Sequence, residues 1–536
     1  MSKLAVLSLF AILLSFPALA DEGQHHEELS SEQLGTVHFP VSCDTAVQKP
    51  FERGVALLHS FWYEEAQKQF EHVAEHDPKC AMAHWGMAMS LWHQLWNHPD
   101  KATVEKGLKE VKAAESLHPK TARERDYIGA MRVFYGGEAK LEYQKRADAY
   151  AAAMEKMDHK YTDDREAAAF YALSLLASEP DNDTTFANRK KAAAVLEPLF
   201  AAEPNHPGVA HYLIHSYDTP QLAQLGLPAA RRYAQIAPAA PHALHMPSHI
   251  FARLGLWQDD IDSNLASVAA TRKTSEMHMG GGGHQFHALD FLVYAYLQSG
   301  READAMKVIE EIRAMPPMQD MYGMGFDPRL YALSAFPARY ALELHRWSDA
   351  ANLQPVPGAD EGDSATTYLA RAIGAAHLGN VEEIQKDLEQ LNAIHKHLLA
   401  KNKTEFAEAV EHDRKIADAW LSYAQGKKQE AVTALQSLAE KEESVGGEVG
   451  GTPAREMAAD ILLEMKQPEK ALAEYQTDLK FNPGRFNGLY GAAQAADMTG
   501  AAAKASEYYA MLLKSCAGSN SERPELARAK SLVAAK

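Results

Sequence analysis

Only three cysteines are spread over 536 residues, too few for a disulfide scaffold. Runs of alternating β-branched residues are almost absent, which argues against a sheet protein. Beyond the first 20 residues no stretch has the ~18 or more uncharged apolar residues that a membrane span needs. Basic residues are also in short supply: 54 lysines and arginines face 72 acidic residues, for a net charge of −18. An acidic chain repels phosphate backbones, so nucleic acid is not an expected partner. Gly280–Gly283 lacks the lysine, the hydroxyl residue and the preceding strand of a phosphate loop. No nucleophile elbow is present, and nothing makes a positive case for an enzyme.

The first 20 residues read as a secretory signal. Lys3 supplies the positive end, Leu4 to Phe16 the apolar stretch, and Ala18-Leu19-Ala20 the small-x-small cleavage site. Cleavage after Ala20 leaves a soluble chain beginning at Asp21, in the periplasm or secreted; an uncleaved anchor is the alternative. Export also makes one disulfide plausible, with Cys43 and Cys80 as the natural pair and Cys516 left over. Spacing alone does not fix that connectivity.

What fills the chain is helical periodicity with a repeat of about 34 residues, the period of a tetratricopeptide (TPR) unit. A small residue, a large one four later, another three later and a closing proline recur. Examples are Ala66/Phe70/Val73/Pro78, Gly107/Val111/Ala114/Pro119, Ala192/Leu196/Leu199/Pro204, Ala229/Tyr233/Ile236/Pro241, Ala305/Ile309/Ile312/Pro317 and Ala471/Tyr475/Asp478/Pro483. Ala431/Leu435/Leu438 and Ala505/Tyr509/Leu512 fit without the proline. The small residue admits the partner helix, the larger ones fill the space between helices, and proline ends the unit. The pattern predicts an all-α, right-handed TPR-type solenoid of roughly a dozen repeats. Its expected parts are a signal peptide (1–20), an extended arm (21–45), a first half (46–351), a candidate linker (352–363) and a second half (364–536).

The histidines follow the repeat. His211/His215 and His245/His249 are offset by 34 residues, and each pair is spaced to share one helical face. His287 falls at the same position of the next unit. First helices of TPR units line the concave groove, and adjacent helices lie ~8–10 Å apart. His211, His215, His245, His249 and His287 are therefore candidate ligands for a shared Zn or Cu ion. His206, His242, His278 and His284, assigned to adjoining loops, are candidates to complete the shell. Asp218 and Asp290 are the nearest acids for a metal-dependent hydrolase or oxygenase, a distant third reading.

Competing readings are structural. His59 and His93 also recur 34 residues apart, so repeats resemble one another wherever histidine occurs. Pro247 must lie in a first helical turn or break the helix, which puts the helicity of His245 in doubt. Met315, Met318, Met321 and Met324 form a thioether run suited to Cu(I), or caps on apolar helix ends. HVAEH (72–76) matches an inverted zinc-peptidase pattern, but Phe70 and Val73 beside it are core positions. Phe61, Trp62, Tyr63, Trp85, Trp92 and Trp96 read mostly as repeat core, with some available as an apolar floor for a bound peptide.

Several stretches carry a closer likeness: FERGVALLHSFWYEEA (51–66), DPKCAMAHWGMAMS (77–90), HPGVAHYLIHSYDTP (206–220), LGLPAARRYAQIAPAAPHALHMPSHIFARLGLW (225–257) and HALDFLVYAYLQSGR (287–301). Over most of residues 40–350 the chain resembles a family of exported bacterial TPR proteins of unassigned activity. The resemblance implies fold and export and supplies no catalytic residue. The leading expectation is a non-catalytic scaffold holding a peptide or protein partner in its groove, with a periplasmic metal-binding protein as the alternative.

Overall fold

A computed structural model describes residues 29–96, 98–136, 142–180, 183–318, 327–447 and 449–534. The signal segment and its cleavage site lie outside the described residues, as do Met321 and Met324. The chain is 75% helical, with no strand among the described residues, and forms a TPR-like α-solenoid. Successive helices pack as antiparallel pairs from Gln48–His59 and Tyr63–His76 through to Phe486–Met498 and Ala502–Ser515.

Two local devices build each pair. The small residues that open the second helices, Ala66, Gly107, Ala192, Ala229, Ala305, Ala431, Ala471 and Ala505, are buried, with Phe70, Val111, Leu196, Tyr233, Ile309, Leu435, Tyr475 and Tyr509 one turn on. The turn between helices is closed by a six-residue backbone hydrogen bond around a left-handed residue: Leu256 N to Phe251 O, Arg301 N to Tyr296 O, Asn380 N to Ala375 O. Gly255, Gly300, Gly379, Gly426 and Gly500 hold the left-handed position, where a missing Cβ removes the steric penalty. In the first repeat Phe61 takes that conformation instead, at φ 52°. His345, Asn402 and Lys466 do the same in later turns, each at a cost on the order of 1 kcal/mol.

The N-terminal arm contains one helical turn, Ser31–Leu34, and is then extended. It is fastened along several repeats. Thr36 N donates to Asn205 O, and Ala239 N to Gln33 O. Phe39 is fully buried among Phe51, Trp85 and Tyr127, and Ser42 donates to Glu124 from both its N–H and its hydroxyl. Cys43 and Cys80 are joined by a disulfide, and Cys516 is a buried free thiol. Residues 352–360 are a loop, and Asp360 caps the helix Glu361–His377. That helix packs against Pro328–Glu343 and Trp347–Ala351.

Later repeats fold back onto the middle of the chain. Arg253 donates to the carbonyls of Gly446 and Gly447, and Trp257 Nε1 to Gly484 O. Arg485, fully buried, contacts Glu456 through two nitrogens, Glu343 Oε1 at 2.8 Å and Tyr294 Oη at 2.9 Å. Truncating one side of such a buried pair leaves charges without partners, which costs about 3–5 kcal/mol. Arg485→Ala should lower the stability of the C-terminal repeats by that amount in urea unfolding. A loss under about 1 kcal/mol would mean that water already reaches the cluster.

Candidate metal centre

The helix Pro207–Tyr217 begins at His206, whose Nδ1 accepts from Val209 N and caps the helix, and Pro207 presets its first turn. It presents His211 and His215 on one face. In the next unit Pro247 breaks the first helix into Pro241–His245 and Pro247–Arg253. Met246 between them keeps helical dihedrals (φ −53°, ψ −33°), so His245 is helical and still faces the same way as His249. His242, expected in a loop, lies in the first turn of this helix. His284 is likewise helical, opening His284–Gln298, which carries His287.

The imidazoles gather into two sets, not one. His211 Nε2 lies 3.1 Å from His242 Nε2 and 3.1 Å from His215 Nε2. His249 Nε2 lies 3.0 Å from His245 Nε2 and 3.3 Å from His287 Nε2. Tetrahedral ligands held ~2.0–2.1 Å from one ion are separated by roughly 3.3 Å. Both sets approach that spacing. They adjoin, with ring centroids 6.1 Å apart for His242/His245 and 6.3 Å for His215/His249. One phenylalanine walls each set. Phe61 packs on His211, His215 and His242, and Phe291 on His245, His249 and His287.

Hydrogen bonds at the far nitrogens decide where the protons sit. His211 Nδ1 is 2.6 Å from the carbonyl of His59, an acceptor only, so Nδ1 carries the proton and Nε2 a lone pair. His249 Nδ1 is 2.8 Å from Asp218 Oδ2. Burial alone would raise the Asp218 pKa, but His249, Arg253 and Arg189 together hold it well below the usual carboxylate range. It is an ionised acceptor. His245 Nδ1 is 2.6 Å from Asn264 Oδ1. The Asn264 amide nitrogen donates to Asp260 O and Oδ1, which fixes its oxygen toward the ring. Both Nδ1 atoms are committed as donors, and the Nε2 atoms of His245 and His249 face each other at 3.0 Å.

Another cluster shows the contrast. Glu166, fully buried, accepts from His59 Nε2 at 2.8 Å and His206 Nε2 at 2.9 Å. The other nitrogens of these rings accept, from Tyr212 Oη and Val209 N. Every proton and lone pair is matched, so this is a closed hydrogen-bond relay. His206 belongs to it and not to either three-imidazole set.

No protein-family model matches the chain, and no curated protein does. Similar solved structures include the human IFIT1 dimer with the capped RNA m7Gppp-AAAA. That protein is 14% identical, the match covering 81% of this chain and 90% of that one, with TM-score 0.36. The Naa15/Naa10 complex bound to HypK-THB is 12% identical over 87% of this chain and 70% of that one, with TM-score 0.23. At these scores the likeness carries no weight for function, and the fold rests on the helices themselves.

The remaining candidates lie elsewhere. His278 is exposed at a left-handed turn, and His72 and His76 are exposed on their helix, His76 Nδ1 meeting His72 O. Met315 and Met318 pack on the core of the third repeat group. Asp290 is paired with Arg339 at 2.6 Å. Trp62, Trp85 and Trp92 are core, whereas Trp96 is 38% exposed beside His242, 5.6 Å between rings. Sequence reasoning missed Asn264, the His59 carbonyl and Phe291, and read Phe61 as repeat core or apolar floor and not as a wall of the first set. Phe291 alone carried a signal, since it stands in register with His249, as His284 and His287 do with His242 and His245.

Burial pushes the histidine pKa values down: to about 3 for His211 and His284, and to about 4 for His93 and His287. His59, His215, His242 and His245 are lowered by the same cause. These rings are neutral in the fold and titrate near 6.5 once unfolded. Below pH 6.5 the unfolded chain takes up more protons, so stability falls with pH, by about 1.4 kcal/mol per histidine per pH unit at most. The metal-free protein should lose thermal stability steeply from pH 7 to pH 5, as read by calorimetry. A flat profile over that range would contradict neutral, buried imidazoles.

Proposed function

We propose that this chain is a transition-metal-binding solenoid protein, with His245/His249/His287 and His211/His215/His242 as its ligand sets. One observation carries the reading. The Nε2 atoms of His245 and His249, whose far nitrogens are both committed as donors, face each other at 3.0 Å and need a shared cation, a proton or a metal ion, between them. A proton would satisfy one pair of nitrogens, whereas a metal ion satisfies all three of a set. Neutral imidazoles are the common ligands of Zn²⁺, Cu and Ni²⁺. Asp218, Asn264 and the His59 carbonyl are the outer partners that orient ligating imidazoles and fix their tautomer. The leader ending at Ala20 and the Cys43–Cys80 bridge suit an exported protein in an oxidising compartment.

The groove reading keeps support of its own. A cavity of about 760 Å³ is bounded by Gln94, Tyr143, Phe186, Arg189, Lys403 and Phe406, large enough for part of a peptide. Arg189 donates to the carbonyl of His215, so a partner there would rest against the helix that carries the first set.

Protein purified without an affinity tag should carry, or take up in dialysis, at least one transition-metal ion per chain by elemental analysis. Asp218→Asn should weaken that binding by about 10–100-fold while leaving the helical circular-dichroism spectrum unchanged. Absence of uptake across Zn²⁺, Cu and Ni²⁺ would sink the proposal.

A further inference from the structure

The two ligand sets have a peculiarity of charge. All six candidate ligands are imidazoles, which carry no charge when they bind a metal, and no carboxylate belongs to either set among the described residues. The nearest acids are already engaged: Asp218 by His249 and Arg253, Asp290 by Arg339, and Glu166 by His59 and His206. His211, His242 and His245 are buried, and the phenylalanine walls lower the local polarity further. Ions placed in both sets would therefore meet little compensating negative charge.

The cost of burying an ion grows with the square of its charge, and so does the repulsion between two like ions. Two monovalent ions meet about a quarter of the penalty that two divalent ions meet in the same place. Among metals that imidazoles hold, copper offers a stable monovalent state, and it tolerates the three-coordinate geometry that three converging nitrogens provide. Two methionines lie in or beside the loop that leads into His284. The Met318 methyl carbon lies 3.6 Å from where a Cβ on Gly282 would be, two residues before His284, and Met279 is partly buried in the same loop. Thioethers are ligands that select Cu(I).

Resting on the metal reading above, we infer that the two sets form one paired centre that takes two cuprous ions, one in each three-imidazole set, in preference to two divalent ions. No electron transfer is needed for this binding, since the copper enters as Cu(I). A divalent ion in one set raises the cost of a second, so zinc occupies one set and excludes itself from the other.

The test is a pair of titrations of the metal-free full chain. One adds Cu(I) without oxygen against the chromogenic chelator bicinchoninate, and the other adds Zn²⁺ against a chromogenic zinc indicator. The expected result is two Cu(I) per chain and no more than one Zn²⁺. His287→Ala, which removes one ligand of the second set, should weaken one of the two Cu(I) by at least tenfold and leave the other unchanged, with the helical circular-dichroism spectrum retained. Two Zn²⁺ bound as readily as two Cu(I), or a single Cu(I) per chain, would overturn the pairing while the metal reading stands. If neither ion binds, the metal reading falls and the pairing with it.

Discussion

The close approach of the helix Pro207–Tyr217 to the helix Gln48–His59 is the constraint on which the rest depends. It is set by small residues at the contact. A Cβ on Gly208 would lie 2.4 Å from His59 Nδ1, so only glycine lets the helix Pro207–Tyr217 approach the first repeat. That approach brings the His59 carbonyl onto His211 Nδ1 and so directs the His211 lone pair toward His215 and His242. A wider spacing would leave the same histidines as separate side chains in a groove.

Imidazole clusters differ less in their number of rings than in their proton count. Around Glu166 each ring nitrogen has a partner of the opposite kind, and the group is complete as a hydrogen-bonded unit around one buried, ionised carboxylate. In the pair His245/His249 both outward nitrogens are committed as donors, so the inward ones match only through a shared cation, a proton or a metal ion. The distinction is invisible in a distance table that treats all ring nitrogens alike. It emerges once acceptor-only atoms, a backbone carbonyl and an ionised carboxylate, are identified on the far side of each ring.

The architecture was legible in the sequence because it is periodic. Ala229, Tyr233 and Ile236 mark a helix without any knowledge of what they touch, and all three are buried. The histidine sets were half legible. The 34-residue offset placed His211/His215 and His245/His249 on facing helices, but an eight-residue insertion before His284 hid the register that aligns His242 with His284 and His249 with Phe291. Prolines at 241 and 247 both signal a break, which puts His242 in a loop by sequence, whereas Pro241 starts a helix and Met246 carries the helical path across Pro247. Asn264 and the His59 carbonyl could not be read at all. An outer partner contributed by a backbone atom 152 positions away has no sequence signature.

Solenoids behave as springs, since each repeat touches only its neighbours and coils can separate without breaking any long-range contact. The arm from Leu34 to Cys43 changes that mechanics. It is held near Asn205 and Ala239 at one end and at Glu124 and Cys80 at the other, bridging units that are far apart along the chain. Stretching the first coil must tear these fastenings before the helices part. The histidine-bearing repeats thus sit between these fastenings and the contacts of Arg253 and Trp257 with the later repeats, where nitrogen-to-nitrogen distances are least exposed to bending.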